Sequence, residues 1–240
     1  MPNTIVPPPA IVLPFSSTSH TFTVGRVWCV GRNYAAHARE MGGDPDREPP
    51  FFFSKPANTV VWAGCGDRAA AIAYPPATGD LHHEVELVLA LGAGGRNLSL
   101  AQACACVAGM AVGIDLTRRD LQATFKKAGL PWELAKGFDG SAICGTLTAI
   151  TCSALEADNP EIGLEVNGVV RQQGTVDEMI WSVPELLQHL SRLITLQPGD
   201  LVYTGTPSGV GPLVVGDRTS CHIRGLPAIE LLINPALREG

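Results

Sequence analysis

No stretch of this 240-residue chain reaches the roughly 18 consecutive apolar residues of a membrane span. The N-terminus also lacks the basic-then-apolar order of a secretion signal. Positive charge is in deficit, with 17 Lys and Arg against 23 Asp and Glu and a net charge of −6. The basic residues are scattered, which argues against a nucleic-acid surface. Cys-x-x-Cys pairs are missing. The seven cysteines are an odd, dispersed set that fits reduced thiols in the cytoplasm better than a disulfide framework. No Gly-Lys-Ser/Thr follows the glycine-rich segments, Ser208 has no Gly-x-Ser-x-Gly frame, and neither His82 nor His83 has a His-x-x-x-His partner. A P-loop, a serine-hydrolase elbow and a helical zinc site are therefore unsupported.

What is present is glycine and proline, 26 and 19 residues respectively, which favours strands joined by tight turns over long helices. Residues 1–20, with Pro7-Pro8-Pro9, read as an extended arm. Residues 21–240 read as a single β-rich domain with about three helices. The first is Tyr34–Met41, stopped by Gly42-Gly43. The second starts at Thr117-Arg-Arg-Asp120, which has capping-box spacing, and runs to about Lys127 before Gly129. The third opens at Ser182-Val-Pro-Glu185 and carries the stripe Leu186, Leu187, Leu190, Leu193 and Ile194. Cys104 and Cys106 read as alternating core positions of a strand, and Val107–Ile114 as a strand ending at Asp115. Asn167-Gly168 predicts a type I′ hairpin.

The most informative stretch is Leu81-His-His-Glu-Val-Glu-Leu-Val-Leu-Ala-Leu91. Strand alternation puts Val85, Leu87, Leu89 and Leu91 on one face, with His82, Glu84 and Glu86 on the other. The two carboxylates then stand about 6.6 Å apart along the strand. Like charges so placed repel, and burial would force one proton back on. A divalent cation removes the repulsion, and carboxylate oxygens suit Mg²⁺, Mn²⁺ or Ca²⁺ better than zinc. Asp115, where a buried strand meets a helix, is a third candidate ligand. Taken alone it is the better bet as a helix N-cap.

His37 and Glu40 share a helix face at i and i+3. A carboxylate beside an imidazole raises its basicity and suits it to activate water, although on spacing alone a surface ion pair is the commoner outcome. Lys136, among apolar and aromatic neighbours, is either an oxyanion stabiliser or a snorkelling side chain. Thr204-Gly-Thr-Pro-Ser-Gly-Val-Gly211 is a glycine-rich turn after a strand, whose N–H groups and Thr206 hydroxyl suit a carboxylate.

Together these segments resemble the fumarylacetoacetate hydrolase family from about Val24 to Ile233. The motifs are Gly31-Arg-Asn-Tyr-Ala-Ala-His-Ala-Arg-Glu-Met41, Phe53-Ser-Lys-Pro56, His83-Glu-Val-Glu86 and Gly113-Ile-Asp-Leu-Thr-Arg-Arg-Asp-Leu-Gln122. Gly129-Leu-Pro-Trp-Glu-Leu-Ala-Lys-Gly-Phe-Asp139, Asn167-Gly168 and Thr204-Gly-Thr-Pro207 complete the set. The resemblance implies a β-rich α+β fold, a mixed β-roll or sandwich with peripheral helices, and a homodimer. It implies Glu84, Glu86 and Asp115 as Mg²⁺ or Mn²⁺ ligands, His37 and Glu40 as a water-activating dyad on a lid, and Lys136 near the developing negative charge. Gln122 and Thr206 fall on substrate-contacting positions. Ile143 departs from the family's usual proline. Within the family the segments look most like bacterial fumarylpyruvate hydrolases of aromatic-acid breakdown.

The implied reaction is hydrolytic carbon–carbon cleavage of a 2,4-dioxo acid, fumarylpyruvate giving fumarate and pyruvate. Arg32 or Arg47 would meet the distal carboxylate, by charge logic. The alternatives are an oxaloacetate decarboxylase or decarboxylating isomerase on the same metal, and a non-catalytic metal-binding protein.

Overall fold

The computed structural model describes residues 8–40 and 48–236, with the side chains of Ala38 and Glu40 left aside. Its centre is a mixed seven-stranded sheet in the order Phe51–Lys55, Arg26–Gly31, Asp200–Tyr203, Val85–Leu91, Val107–Asp115, Ala142–Cys144 and Val60–Trp62. A five-stranded sheet in the order Val169–Thr175, Glu161–Val166, Arg218–Ile223, Ile229–Asn234 and Ala70–Ala73 packs against it. Three short strands, Thr117–Arg118, Leu81–His83 and Gly211–Leu213, form a separate sheet beside the cleft. Among the described residues no helix is long and apolar enough to cross a membrane.

Val85–Leu91 is buried along its whole length. Leu87, Leu89 and Leu91 enter the core shared with Ile162, Leu164 and Ile223, whereas Val88 and Ala90 enter a second core with Leu13, Val27 and Tyr203. The expected polar face is therefore apolar beyond Glu86, because this sheet is covered on both sides. Glu84 lies between Leu81–His83 and Val85–Leu91, where the chain passes from one sheet to another.

Several expectations change. Val12–Pro14 pairs antiparallel with Thr21–Thr23 and buries Leu13 completely, so this part of the expected arm belongs to the core. Residues 1–7 lie outside the described residues. Cys104 lies in helix Leu100–Ala105 and Cys106 caps it, instead of alternating on a strand. The reason is local: the Ser99 hydroxyl accepts from Gln102 N while the Gln102 side chain accepts from Ser99 N. The helix after Asp115 spans Arg119–Ala128 and stops at Gly129, but Thr117 does not cap it, because that residue sits in a strand. Six α-helices occur among the described residues, more than the three expected. The extra three, Leu100–Ala105, Glu133–Lys136 and Cys152–Asp158, are each under two turns long, too short to show periodicity. Helix Val183–Leu193 has its capping box and buries Leu186, Leu187 and Leu190, but leaves Leu193 exposed. The hairpin forms as read, with Asn167 and Gly168 at φ 53° and 77°. Ile143 is buried in a strand and its carbonyl accepts the Tyr203 hydroxyl at 2.9 Å.

Candidate active site

Antiparallel pairing of Val85–Leu91 with Val107–Asp115 sets the site. Val85 lies opposite Ile114 and Glu86 opposite Gly113, and the Asp115 N–H donates to the Glu84 carbonyl at 2.9 Å. This register brings residues some thirty positions apart onto one spot. Gly113 permits the approach, since a Cβ there would lie 2.4 Å from Val88 Cγ2. Glu84, Glu86 and Asp115 each present an oxygen within 4.8 Å of the others, and all three residues are buried.

Cations from distant segments hold the group together. Lys136 Nζ donates to Glu84 Oε2 at 2.7 Å and to Asp115 Oδ2 at 2.8 Å. Arg119 Nη2 donates to Glu84 Oε1 at 2.5 Å. Lys55 Nζ donates to the carbonyls of Leu116, Lys136 and Ser141 and lies 2.8 Å from Asp115 Oδ1. That last contact pairs charges without hydrogen-bond geometry, so Asp115 Oδ1 keeps an unused lone pair. The Gly205 N–H, from the glycine-rich turn, donates to Glu86 Oε2 at 2.7 Å. The turn thus holds one of the chain's own carboxylates.

Burial alone would raise the Glu84 carboxyl, but Lys136, Arg119 and His37 override it and push the carboxyl well below its ordinary range. Glu86 goes the other way, raised well above that range by burial and by the Asp115 and Glu84 charges. Burial works to lower Lys136, yet Asp115 and Glu84 outweigh it and keep the ammonium charged. A divalent cation fits this donor set: it would use the spare Asp115 lone pair and offset the like-charge repulsion that raises the Glu86 carboxyl.

The cleft over this group is lined by His37, Glu84, Glu86, Lys136, Gln122, Thr206 and Arg32, together with Arg119, Lys126, Phe53 and Trp132. His37 is buried on helix Ala35–Glu40 and close enough to Glu84 to lower its pKa. The side chain of Glu40, like Arg47, lies outside what is described. Gln122 is buried, and its Oε1 accepts from Arg119 Nη1 at 2.5 Å. Arg32 is exposed at the outer end. Lys55 and Arg119 were not singled out from sequence. Both lie inside matched motifs, Phe53-Ser-Lys-Pro56 and Thr117-Arg-Arg-Asp120, and a buried lysine in a strand before a proline is a usable signal.

The strand order, the buried acidic group and the cleft define the class. Residues 26–233 match the family model for fumarylacetoacetate (FAA) hydrolase C-terminal, and the chain belongs to that family. Among solved structures it is similar to fumarylpyruvate hydrolase from Pseudomonas aeruginosa in complex with Mn²⁺ and pyruvate. That match has 47% identity, a TM-score of 0.91, and covers 96% of this chain and 98% of the other. A fumarylpyruvate hydrolase of a Ralstonia species is 40% identical over 198 residues, 82% of this chain and 100% of the relative. An oxaloacetate tautomerase, YcgM of Escherichia coli K12, is 41% identical over 205 residues, 85% of this chain and 90% of its own.

Proposed function

We propose that this chain is a divalent-metal-dependent hydrolase that cleaves a carbon–carbon bond of a 2,4-dioxo acid, fumarylpyruvate giving fumarate and pyruvate. One observation carries the reading: Glu84, Glu86, His37, Lys136 and Thr206 line a single cleft, and the buried Asp115 presents an oxygen within 4.8 Å of both glutamates. With all three carboxylates ionised, their charge is matched by Lys55, Lys136 and Arg119, which pair with Glu84 and Asp115. A divalent ion therefore leaves the centre positive, which an acid with two carboxylates offsets.

A bound Mg²⁺ or Mn²⁺ supplies Lewis-acid charge for the oxygens of a keto acid. His37 takes a proton from water, whose oxygen attacks the distal carbonyl carbon. Glu40 is its proposed partner along the helix. The bond between that carbon and the neighbouring CH₂ breaks. Its electron pair leaves with the pyruvate half as an enolate, which then takes a proton on carbon. The Lys136 ammonium faces that developing charge. Thr206 holds the inner carboxylate, and Gln122, fixed by Arg119, lines its path. Arg32 meets the distal carboxylate. Its φ of 61° is one that few non-glycine residues take, and such strain is often kept for a function.

Pyruvate formation from fumarylpyruvate with Mn²⁺ tests the reading. EDTA should abolish it and Mn²⁺ restore it. His37→Ala should lower turnover by roughly 10²–10⁴-fold while leaving Mn²⁺ affinity intact, and full activity in that variant would remove His37 from the mechanism. The similarity to an oxaloacetate tautomerase supports a second reading, keto–enol exchange of oxaloacetate, with its decarboxylation on the same metal as the further alternative. Neither consumes water. Oxaloacetate turnover without fumarylpyruvate cleavage would favour it.

A further inference from the structure

Gln172 lies on the edge strand Val169–Thr175, where it is buried among exposed neighbours. Its amide has four partners from three other segments. Oε1 accepts from Val85 N at 3.1 Å and contacts His83 Nδ1 at 2.9 Å. Nε2 donates to the Pro207 carbonyl at 2.9 Å and to Thr206 Oγ1 at 2.7 Å. The orientation of this amide is not a free choice. A backbone N–H can only donate, so the atom facing Val85 is the oxygen, and a backbone carbonyl can only accept, so the atom facing Pro207 is the nitrogen.

Two consequences follow from that fixed amide. His83 must carry its proton on Nδ1, because Oε1 only accepts. The Thr206 hydroxyl accepts from Nε2, which cannot take its hydrogen, so that hydrogen is left to donate elsewhere, and Thr206 lines the cleft beside Glu84 and Glu86. The turn is pressed against the strand so that this geometry can hold. At Gly209, with φ 91°, a Cβ would come 2.0 Å from the Arg171 carbonyl oxygen.

We infer that Gln172 is a positioning residue that makes Thr206 an obligate hydrogen-bond donor to an anionic oxygen, the inner carboxylate of the substrate. The inference rests on the keto-acid reading above and adds to it a residue that touches no substrate. Gln172→Glu is the decisive change. Its carboxylate still accepts from Val85 and His83, but its second oxygen has no hydrogen for Thr206. The threonine hydroxyl must then donate inward and is lost to the ligand.

The test is calorimetric titration of the full chain, loaded with Mn²⁺, using pyruvate as the probe. Gln172→Glu and Thr206→Val should each weaken pyruvate on the order of tenfold, as expected for a lost hydrogen bond to a charged group. Thr206→Ser should bind normally, and Mn²⁺ affinity should hold in every variant. The double variant should be no weaker than either single one, because both remove the same donor. Unweakened pyruvate binding by Gln172→Glu, or additive losses in the double variant, would overturn the inference. Nitrogen-15 NMR of the unaltered protein gives an independent readout. A His83 proton on Nδ1 supports the network and one on Nε2 sinks it. If the unaltered protein with Mn²⁺ does not bind pyruvate, the keto-acid reading falls, and the role of Thr206 towards substrate falls with it. The His83 tautomer still decides the amide network.

Discussion

At the inner end of the cleft each carboxylate is tied to the chain. Glu84 holds Arg119 and Lys136, Asp115 holds Lys136 and faces Lys55, and Glu86 takes the Gly205 N–H. At the outer end Arg32 and Lys126 are exposed, beside Phe51 and Trp132 packed edge to face at 5.1 Å. The inner carboxylates and Lys55 sit on or between sheet strands, Arg119 starts a helix and Lys136 is a buried residue of a one-turn helix, whereas the outer groups come from a loop and a helix end. A group held by several partners cannot change without disturbing them, whereas a rim residue can be exchanged at little cost to the fold. The inner end should therefore decide whether chemistry occurs, and the outer wall which acid is admitted.

Asp115→Asn presses hardest on that contrast. It removes one ligand and strips a counter-charge from Lys55 and Lys136, both nearly inaccessible to solvent. Breaking such a buried pair typically costs about 3–5 kcal/mol. Turnover should vanish, Mn²⁺ binding should fail, and the chemical denaturation midpoint should drop together with them. A variant that keeps its stability while losing only Mn²⁺ would mean that the cations are less dependent on Asp115 than their distances indicate.

Lys136→Met separates metal binding from chemistry within the inner end. The ammonium competes with any cation for Glu84 and Asp115, so its removal should tighten Mn²⁺ binding or leave it unchanged. Turnover should still fall by roughly 10²–10³-fold, the usual cost of deleting a donor to a developing oxyanion. Weaker Mn²⁺ in this variant would show that Lys136 organises the ligands more than it opposes the ion. At the outer wall, Arg32→Gly should raise KM for fumarylpyruvate about tenfold. It should leave KM for acetylpyruvate, which lacks the distal carboxylate, unchanged. Stability should stay within about 1 kcal/mol, because glycine accepts the left-handed backbone at this position. An equal loss on both substrates would place Arg32 outside distal recognition.

The same contrast explains what could be read from sequence. The Glu84–Glu86 spacing, the Asn167-Gly168 turn and the Ser182–Glu185 capping box are local patterns, and each is found where the residues indicate. Leu100–Ala105 misleads because alternating small residues imitate a strand, although Ser99 and Gln102 mark the helix. Lys55 and Arg119 are legible only as motif members, and Gln172 falls in none of the motifs. Their partners lie tens of residues away, and only sheet register brings them together. Outer-wall identities are harder still, since an exposed arginine or lysine carries no periodic signal of its purpose.

The smallest expected effect is one of pH, and it belongs to the inner end alone. Burial together with the Asp115 and Glu84 charges raises the Glu86 carboxyl well above the ordinary carboxylate range, which favours its protonated form in the metal-free site. A cation must displace that proton to use the oxygen. Below the raised pKa, Mn²⁺ affinity should therefore fall as pH falls, by at most about tenfold per pH unit for one proton. Above it, affinity should level off. Calorimetry in buffers of different ionisation enthalpy would count the proton released. Glu86→Gln should remove the dependence along with much of the affinity, while Arg32→Gly should leave the profile in place. A pH-independent affinity with no proton released would mean that Glu86 is already ionised before the ion arrives. The Gly205 N–H and Lys136 would then outweigh the like charges around it, and the inner end would be a preformed anionic cage instead of one assembled by exchange.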